Sequence, residues 1–116
     1  MCFMVIFVLD DMDQCQYILD AWEAAGITGV TILESSGLGR VRQAGMRDDL
    51  PLMPSLSDLF KRTETRHRTL FTVTKEQEKI DAIVEATQSV VGDLEKPNTG
   101  FLFVLPVGQV YGRSKL

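Results

Sequence analysis

One histidine, two cysteines and a short run of aspartates are the residues of this chain most suited to catalysis, and none stands in a catalytic spacing. His67 has no serine or cysteine nucleophile set around it in a recognisable pattern, so it reads as a surface or interface residue and not as a general base. Cys2 and Cys15 make neither a disulfide framework nor a metal-ligand spacing. Asp10, Asp11 and Asp13 stand where a helix begins, and carboxylates there complement the positive end of the helix dipole without any metal ion. What remains is a pattern suited to binding: Gly37-Leu38-Gly39-Arg40. Its glycines permit close approach of the backbone, and its arginine offers forked donors to an anion such as phosphate. It is not a dinucleotide-binding turn, because no βαβ helix follows it.

The charge distribution points to the same place. Residues 1–39 hold six acids and no lysine or arginine, within a chain of net charge −4. Residues 40–68 hold seven of the twelve basic side chains: Arg40, Arg42, Arg47, Lys61, Arg62, Arg66 and Arg68. A basic segment inside an acidic protein implies an anionic ligand or partner for that segment. Nothing in the composition calls for nucleic acid. The longest apolar run, Cys2 to Leu9, is far short of the roughly 20 residues of a membrane span, and no basic residue precedes it as in a signal peptide. With no disulfide framework, the expected setting is a reducing cytoplasm.

Positioning these residues requires a framework. Its first element is the unbroken β-branched and aromatic run Phe3 to Leu9, which predicts a buried strand. Asp13 is placed to cap a helix in which Cys15, Ile18, Leu19 and Trp22 share one face, and Gly26 is placed to end it. Thr28 to Ser36 predicts a second strand, and His67 to Thr74 a third. Thr74 and Gln77 have capping-box spacing before a second helix, whose stripe is Ile80, Ile83, Val84, Thr87, Val90 and Val91 and whose stop is Gly92. Gly100 to Val107 predicts the fourth strand. The order β-α-β-β-α-β makes an α+β, ferredoxin-like two-layer sandwich with an antiparallel sheet, one domain over residues 1–116, and a long loop at about 37–66. In that loop Leu50, Leu52, Met53, Leu56, Leu59 and Phe60 are too many apolar groups for a disordered linker, and Ser55 can start a short helix.

The first and fourth strands are apolar on both faces. Met4, Ile6 and Val8 alternate with Phe3, Val5, Phe7 and Leu9, and Phe101, Phe103 and Leu105 alternate with Leu102 and Val104. Two helices can cover only one face, so the other is expected to be buried against further copies of the chain.

The stretch Gly26-Ile27-Thr28-Gly29-Val30-Thr31 and the Gly37-Leu38-Gly39-Arg40 that follows it resemble the second strand and loop entrance of the nitrogen-regulatory PII proteins, and Phe101 to Val107 resembles the family's last core strand. The resemblance implies a homotrimer with its sheets facing inward and a small anionic metabolite, an adenine nucleotide in the family, bound in clefts between subunits. It also implies a long loop that docks on a regulated partner protein. Such proteins are regulators and not enzymes. Carried over residue by residue, Thr31 would face the adenine, while Gly37, Leu38, Gly39 and Arg40 would line the base of the loop near the phosphates. Gly100 and Arg113 would complete the ligand set.

The chain also departs from the family pattern. The Gly-Asp-Gly-Lys turn expected before the last strand is Asn98-Thr99-Gly100-Phe101, so the phosphate-binding lysine is replaced by a phenylalanine. Two arginines expected after that strand are Gly112 and Ser114, with Arg113 between them. The loop has no tyrosine, which excludes tyrosine uridylylation there, and ATP itself is expected to bind weakly or not at all. A small ferredoxin-like enzyme with a pocket under the loop, or a trimer of the related metal-tolerance fold, are the competing readings.

Overall fold

The computed structural model describes residues 1–37 and 65–116, and it has the expected α+β ferredoxin-like architecture. Strand β1 spans Cys2–Leu9, α1 Cys15–Ala24, β2 Thr31–Gly37, β3 Thr65–Thr74, α2 Gln77–Val91 and β4 Phe101–Val107. Short 3-10 turns at Met12–Gln14 and Arg113–Lys115 precede α1 and follow β4. The sheet order is β2-β3-β1-β4 with every neighbouring pair antiparallel. Leu38, Gly39 and Arg40, and the helix expected from Ser55, lie outside the described residues.

The register assigns each strand residue to a face. Val5 pairs with Thr72 and Val104, and Phe7 with Leu70 and Leu102. These residues share the face beneath the helices, where Val5, Phe7 and Leu70 are wholly buried with Ile18, Trp22 and Ile83. The two helices meet over this face through a satisfied polar contact. Trp22 Nε1 donates to Thr87 Oγ1 at 2.9 Å, and that hydroxyl donates to the Ile83 carbonyl at 2.7 Å. The hydrogen bonds remove most of the cost of burying an indole N–H and a hydroxyl in an apolar layer.

On the other face the register stacks Val73, Met4 and Leu105 in one row and Phe71, Ile6 and Phe103 in the next. The rings of Phe101 and Phe103 lie 5.5 Å apart at 42°. No element among the described residues covers this face, and Phe101 is 65% exposed, Leu33 52% and Leu105 46%.

Both helices start differently from the sequence expectation. Asp11, and not Asp13, supplies the cap at the first: its carboxylate accepts from Asp13 N at 3.0 Å, which closes the 3-10 turn ahead of α1. Thr74 is a buried strand residue and caps nothing; α2 begins at Gln77 behind Glu76, which makes no side-chain capping bond. Polar side chains spaced for capping are also good strand ends, and pairing of Thr74 with Phe3 decides the matter. The second strand starts at Thr31 and not Thr28, because Thr72 Oγ1 donates to the Gly29 carbonyl at 2.6 Å with its side chain. The helix stop at Gly26 does hold, with φ +92 following the C-cap at Ala25.

Candidate functional site

Of the residues expected to hold a ligand, Thr31, Gly37, Gly100 and Arg113 fall among the described residues, and the fold does not gather them within one copy of the chain. Thr31 and Gly37 are the two ends of β2, separated by six residues of extended chain, or roughly 20 Å. Gly100 precedes β4, so it and Gly37 stand on opposite edges of the four-stranded sheet, at the same end. Arg113 is exposed in the 3-10 turn after β4. Gly100 has a structural reason of its own. Its φ is +93, and a Cβ there would lie 2.7 Å from the Phe7 ring and from the Val8 carbonyl, so only glycine lets β4 begin against the core.

The Thr31 end of β2 borders a recess of about 330 Å³. One wall is the segment from Gly26 to Thr31, a second is Phe71 to Thr74 of β3, and Lys79 of α2 and Leu116 complete it. The recess therefore sits at the corner where the sheet edge, the start of α2 and the C-terminal turn converge. Arg113 is joined to it indirectly, because Leu116 N donates to the Arg113 carbonyl at 3.1 Å. Thr31 and the tail carrying Arg113 thus share one end of the sheet, and Gly37 and Gly100 the other. The volume lies within the usual range for small-molecule sites, near its lower bound.

Lys79 is the charged side chain of this recess, and the sequence reading did not single it out. Its Nζ donates to the Gly26 carbonyl at 3.3 Å, and a Cβ at Gly26 would collide with that ammonium. The overlooked signal was its position: Lys79 is the third residue of α2, in a first turn where the helix dipole disfavours a cation.

The basic segment is divided by the fold. Arg66 and Arg68 belong to β3, and the other five of its basic residues lie outside the described residues. Arg68 pairs with Leu9 and Glu34 on the helix side of the sheet. Its guanidinium is held above its ordinary pKa first by Cys15, through hydrogen bonding and charge, and then by Glu34, against the opposing effect of burial. Such a group stays charged throughout the stable range of the fold. His67 lies beside Asp10, with Nε2 to Oδ1 at 3.7 Å, and Cys2 and Cys15 are free and buried. Among the described residues no group of three histidine, cysteine or acidic side chains is arranged to hold a metal ion, and no helix is long and apolar enough to cross a membrane.

The framework carrying these residues has counterparts among solved structures. GlnK of B. subtilis superposes with a TM-score of 0.60 at 15% identity, over 92% of this chain and 85% of that one. PII of Arabidopsis thaliana, solved bound to citrate, superposes with a TM-score of 0.65 at 16% identity, over 99% of this chain and 86% of that one. A search of curated protein sequences finds no match. Identities this low carry the fold alone. The family model for the nitrogen regulatory protein P-II, however, matches residues 4–114, which takes in β2, β3, β4, both helices and all but the first two residues of β1. Agreement over that length leaves no element of the sandwich unaccounted for, and the chain belongs to the nitrogen regulatory protein P-II family.

Proposed function

We propose that this protein is a PII-type signalling regulator that works as a homotrimer, binds a small anionic metabolite in clefts between its subunits, and acts on a partner protein through the segment at about 37–66. The whole chain, residues 1–116, serves as one such unit, and it performs no turnover of its own. A cytoplasmic setting suits this role.

The observation that carries the reading is the open face of the sheet. Ile6, Phe71 and Phe103 form an apolar row across three strands on the face opposite the helices. Each large apolar side chain left in water forgoes roughly 1.5–3 kcal/mol of burial, and copies of the same chain can cover this face symmetrically. Assembly also answers the division of the candidate ligand residues. Gly37 and Gly100 occupy opposite edges of one sheet, and residues so placed can share a ligand only when the edge of one copy meets that of a neighbour. With Phe101 in place of the family's phosphate-binding lysine, a metabolite smaller than ATP suits the cleft better. Citrate, the anion bound to the Arabidopsis thaliana PII, is of this class.

Analytical ultracentrifugation tests the assembly. A particle three times the 13.0 kDa chain mass at micromolar concentration is the expected result, and a stable monomer removes the premise. For the ligand, a saturating anion at about 100 times its dissociation constant stabilises the fold by roughly 2.7 kcal/mol. Arg40→Ala is expected to weaken that stabilisation while leaving the unliganded melting temperature unchanged. Equal stabilisation of both proteins moves the site away from the loop base.

A further inference from the structure

The open face of the sheet is largely apolar along its rows until the last one, at the end where β2 finishes and β3 begins. Its rows run Val73, Met4 and Leu105, then Phe71, Ile6 and Phe103, then Leu33, Thr69, Val8 and Phe101. Two residues from Thr69 along β3 stands His67, paired with Ser35 of β2, and two residues beyond Val8 stands Asp10. Alternation along the strand puts Ser35 and His67 on the open face, and Asp10 joins them there, with Oδ1 3.7 Å from His67 Nε2. Ser35 Oγ donates to the His67 carbonyl at 3.4 Å and lies 3.0 Å from Thr69 Oγ1, which ties β2 to β3 at this level. The imidazole is 18% exposed and the carboxylate 39%.

A separation of 3.7 Å is too long for a hydrogen bond. It is close to the spacing of two ligands on one tetrahedral ion, roughly 3.4 Å for metal–ligand bonds of about 2.1 Å. One copy of the chain supplies no more than this pair, because among the described residues no three such side chains gather. Further copies change that. The sheet order β2-β3-β1-β4 makes β3 and β1 the middle strands, and when three sheets turn inward the middle strands stand nearest the axis. Assembly then brings three Asp10 carboxylates together at the end of a face that is otherwise largely apolar. Like charges so placed, with water withdrawn from around them, oppose assembly unless a cation sits among them.

We propose that one divalent transition-metal cation binds on the axis of the trimer, held by His67 and Asp10 from each copy. This rests on the proposed reading of the protein as a homotrimer, and the site is incomplete without the neighbouring copies. A neutral imidazole beside a carboxylate is a ligand set for zinc and its neighbours in the first transition row and not for magnesium, which prefers oxygen donors and water. The ion stands two residues from Gly37 and Thr65, the strand ends that flank the segment proposed to act on a partner. Its occupancy therefore braces the part of the sheet from which that segment leaves.

The experiment titrates the chelator-stripped full chain with Zn²⁺ and, separately, Mg²⁺ by calorimetry, and follows assembly by sedimentation with and without zinc. His67→Gln and Asp10→Asn are measured beside the wild type, and circular dichroism establishes that each variant is folded. If one unfolds, the other carries the test. The expected result is one Zn²⁺ per three chains, affinity lowered at least about tenfold in either variant, and no binding of Mg²⁺. Zinc bound at one ion per chain, or bound with full affinity by both variants, overturns the shared site and leaves the trimer intact. A trimer that takes up no zinc but assembles more tightly as the pH falls through the histidine range also overturns it, and assigns the neutralising charge to protonated His67. A trimer that takes up no zinc and assembles alike at every pH overturns it outright. A chain that stays monomeric with and without zinc removes the trimer reading, and the proposal with it.

Discussion

The two faces of the sheet are built from nearly the same residue types and have opposite surroundings. On one, Val5, Phe7 and Leu70 lie wholly buried under α1 and α2. On the other, Ile6, Phe71 and Phe103 are covered by no element among the described residues, and Phe101 and Leu105 are largely exposed beside them. The hydrophobic content of a strand therefore says how much it must bury and nothing about what it buries against. The first face is closed by the chain's own helices, and closing it is a folding problem. The second is left open by the described residues, and on the proposed reading closing it is a problem of assembly.

Substitutions can separate the two. Trp22→Ala on the covered side should have the largest effect, because it empties the most voluminous fully buried position. A loss of about 3–5 kcal/mol in chemical denaturation is expected. If it instead altered assembly at unchanged stability, the division between the faces would be wrong. Gly100→Ala comes next, on the order of 3 kcal/mol, since it forces a side chain into the left-handed region against Phe7 and Val8. Phe103→Asp is the decisive change on the open side. It removes roughly 1.5–3 kcal/mol of burial per copy from the assembled form and leaves the monomer core untouched. Sedimentation should report dissociation while far-ultraviolet circular dichroism keeps the helical signal, and collapse of that signal would merge the two faces into one core. The smallest effect belongs to Thr87→Val, which orphans the Trp22 indole N–H inside the covered layer. Its cost is about 1–2 kcal/mol in the same denaturation assay, with no change in sedimentation.

The fold was largely legible in the sequence because its signals are local and periodic. Cys15, Ile18 and Trp22 recur at helical spacing, and all three are buried on α1; Ile80, Ile83 and Thr87 do the same on α2. The doubly apolar β1 and β4 announced a sheet needing cover on both sides. Element ends were less legible, for a definite reason. Asp11, Asp13, Thr74 and Thr28 are all competent both to cap a helix and to end a strand, and the choice among those roles is made by partners distant in the chain. Thr72, more than forty residues away, ends the ladder at Gly29 by bonding its carbonyl with a side chain. Arg68 was counted with the basic segment at the loop, yet it lies in β3 on the helix side beside Cys15 and Glu34.

The candidate site divides in the same way. The strand β2 could be read directly, because a short stretch of chain carries its pattern; the Leu38-Gly39-Arg40 part of the motif after it lies outside the described residues. The recess could not, since Gly26 to Thr31, Phe71 to Thr74, Lys79 and Leu116 come together only when β2 pairs with β3 and α2 packs across their end. By itself, then, the sequence determined the order of elements, the excess of apolar strand surface and the family, all consequences of local periodicity and short motifs. Only the tertiary structure decided that Lys79 should face the start of β2 and that Gly37 and Gly100 should stand on opposite sheet edges. Those are proximities between segments far apart in the chain, and no local periodicity encodes them.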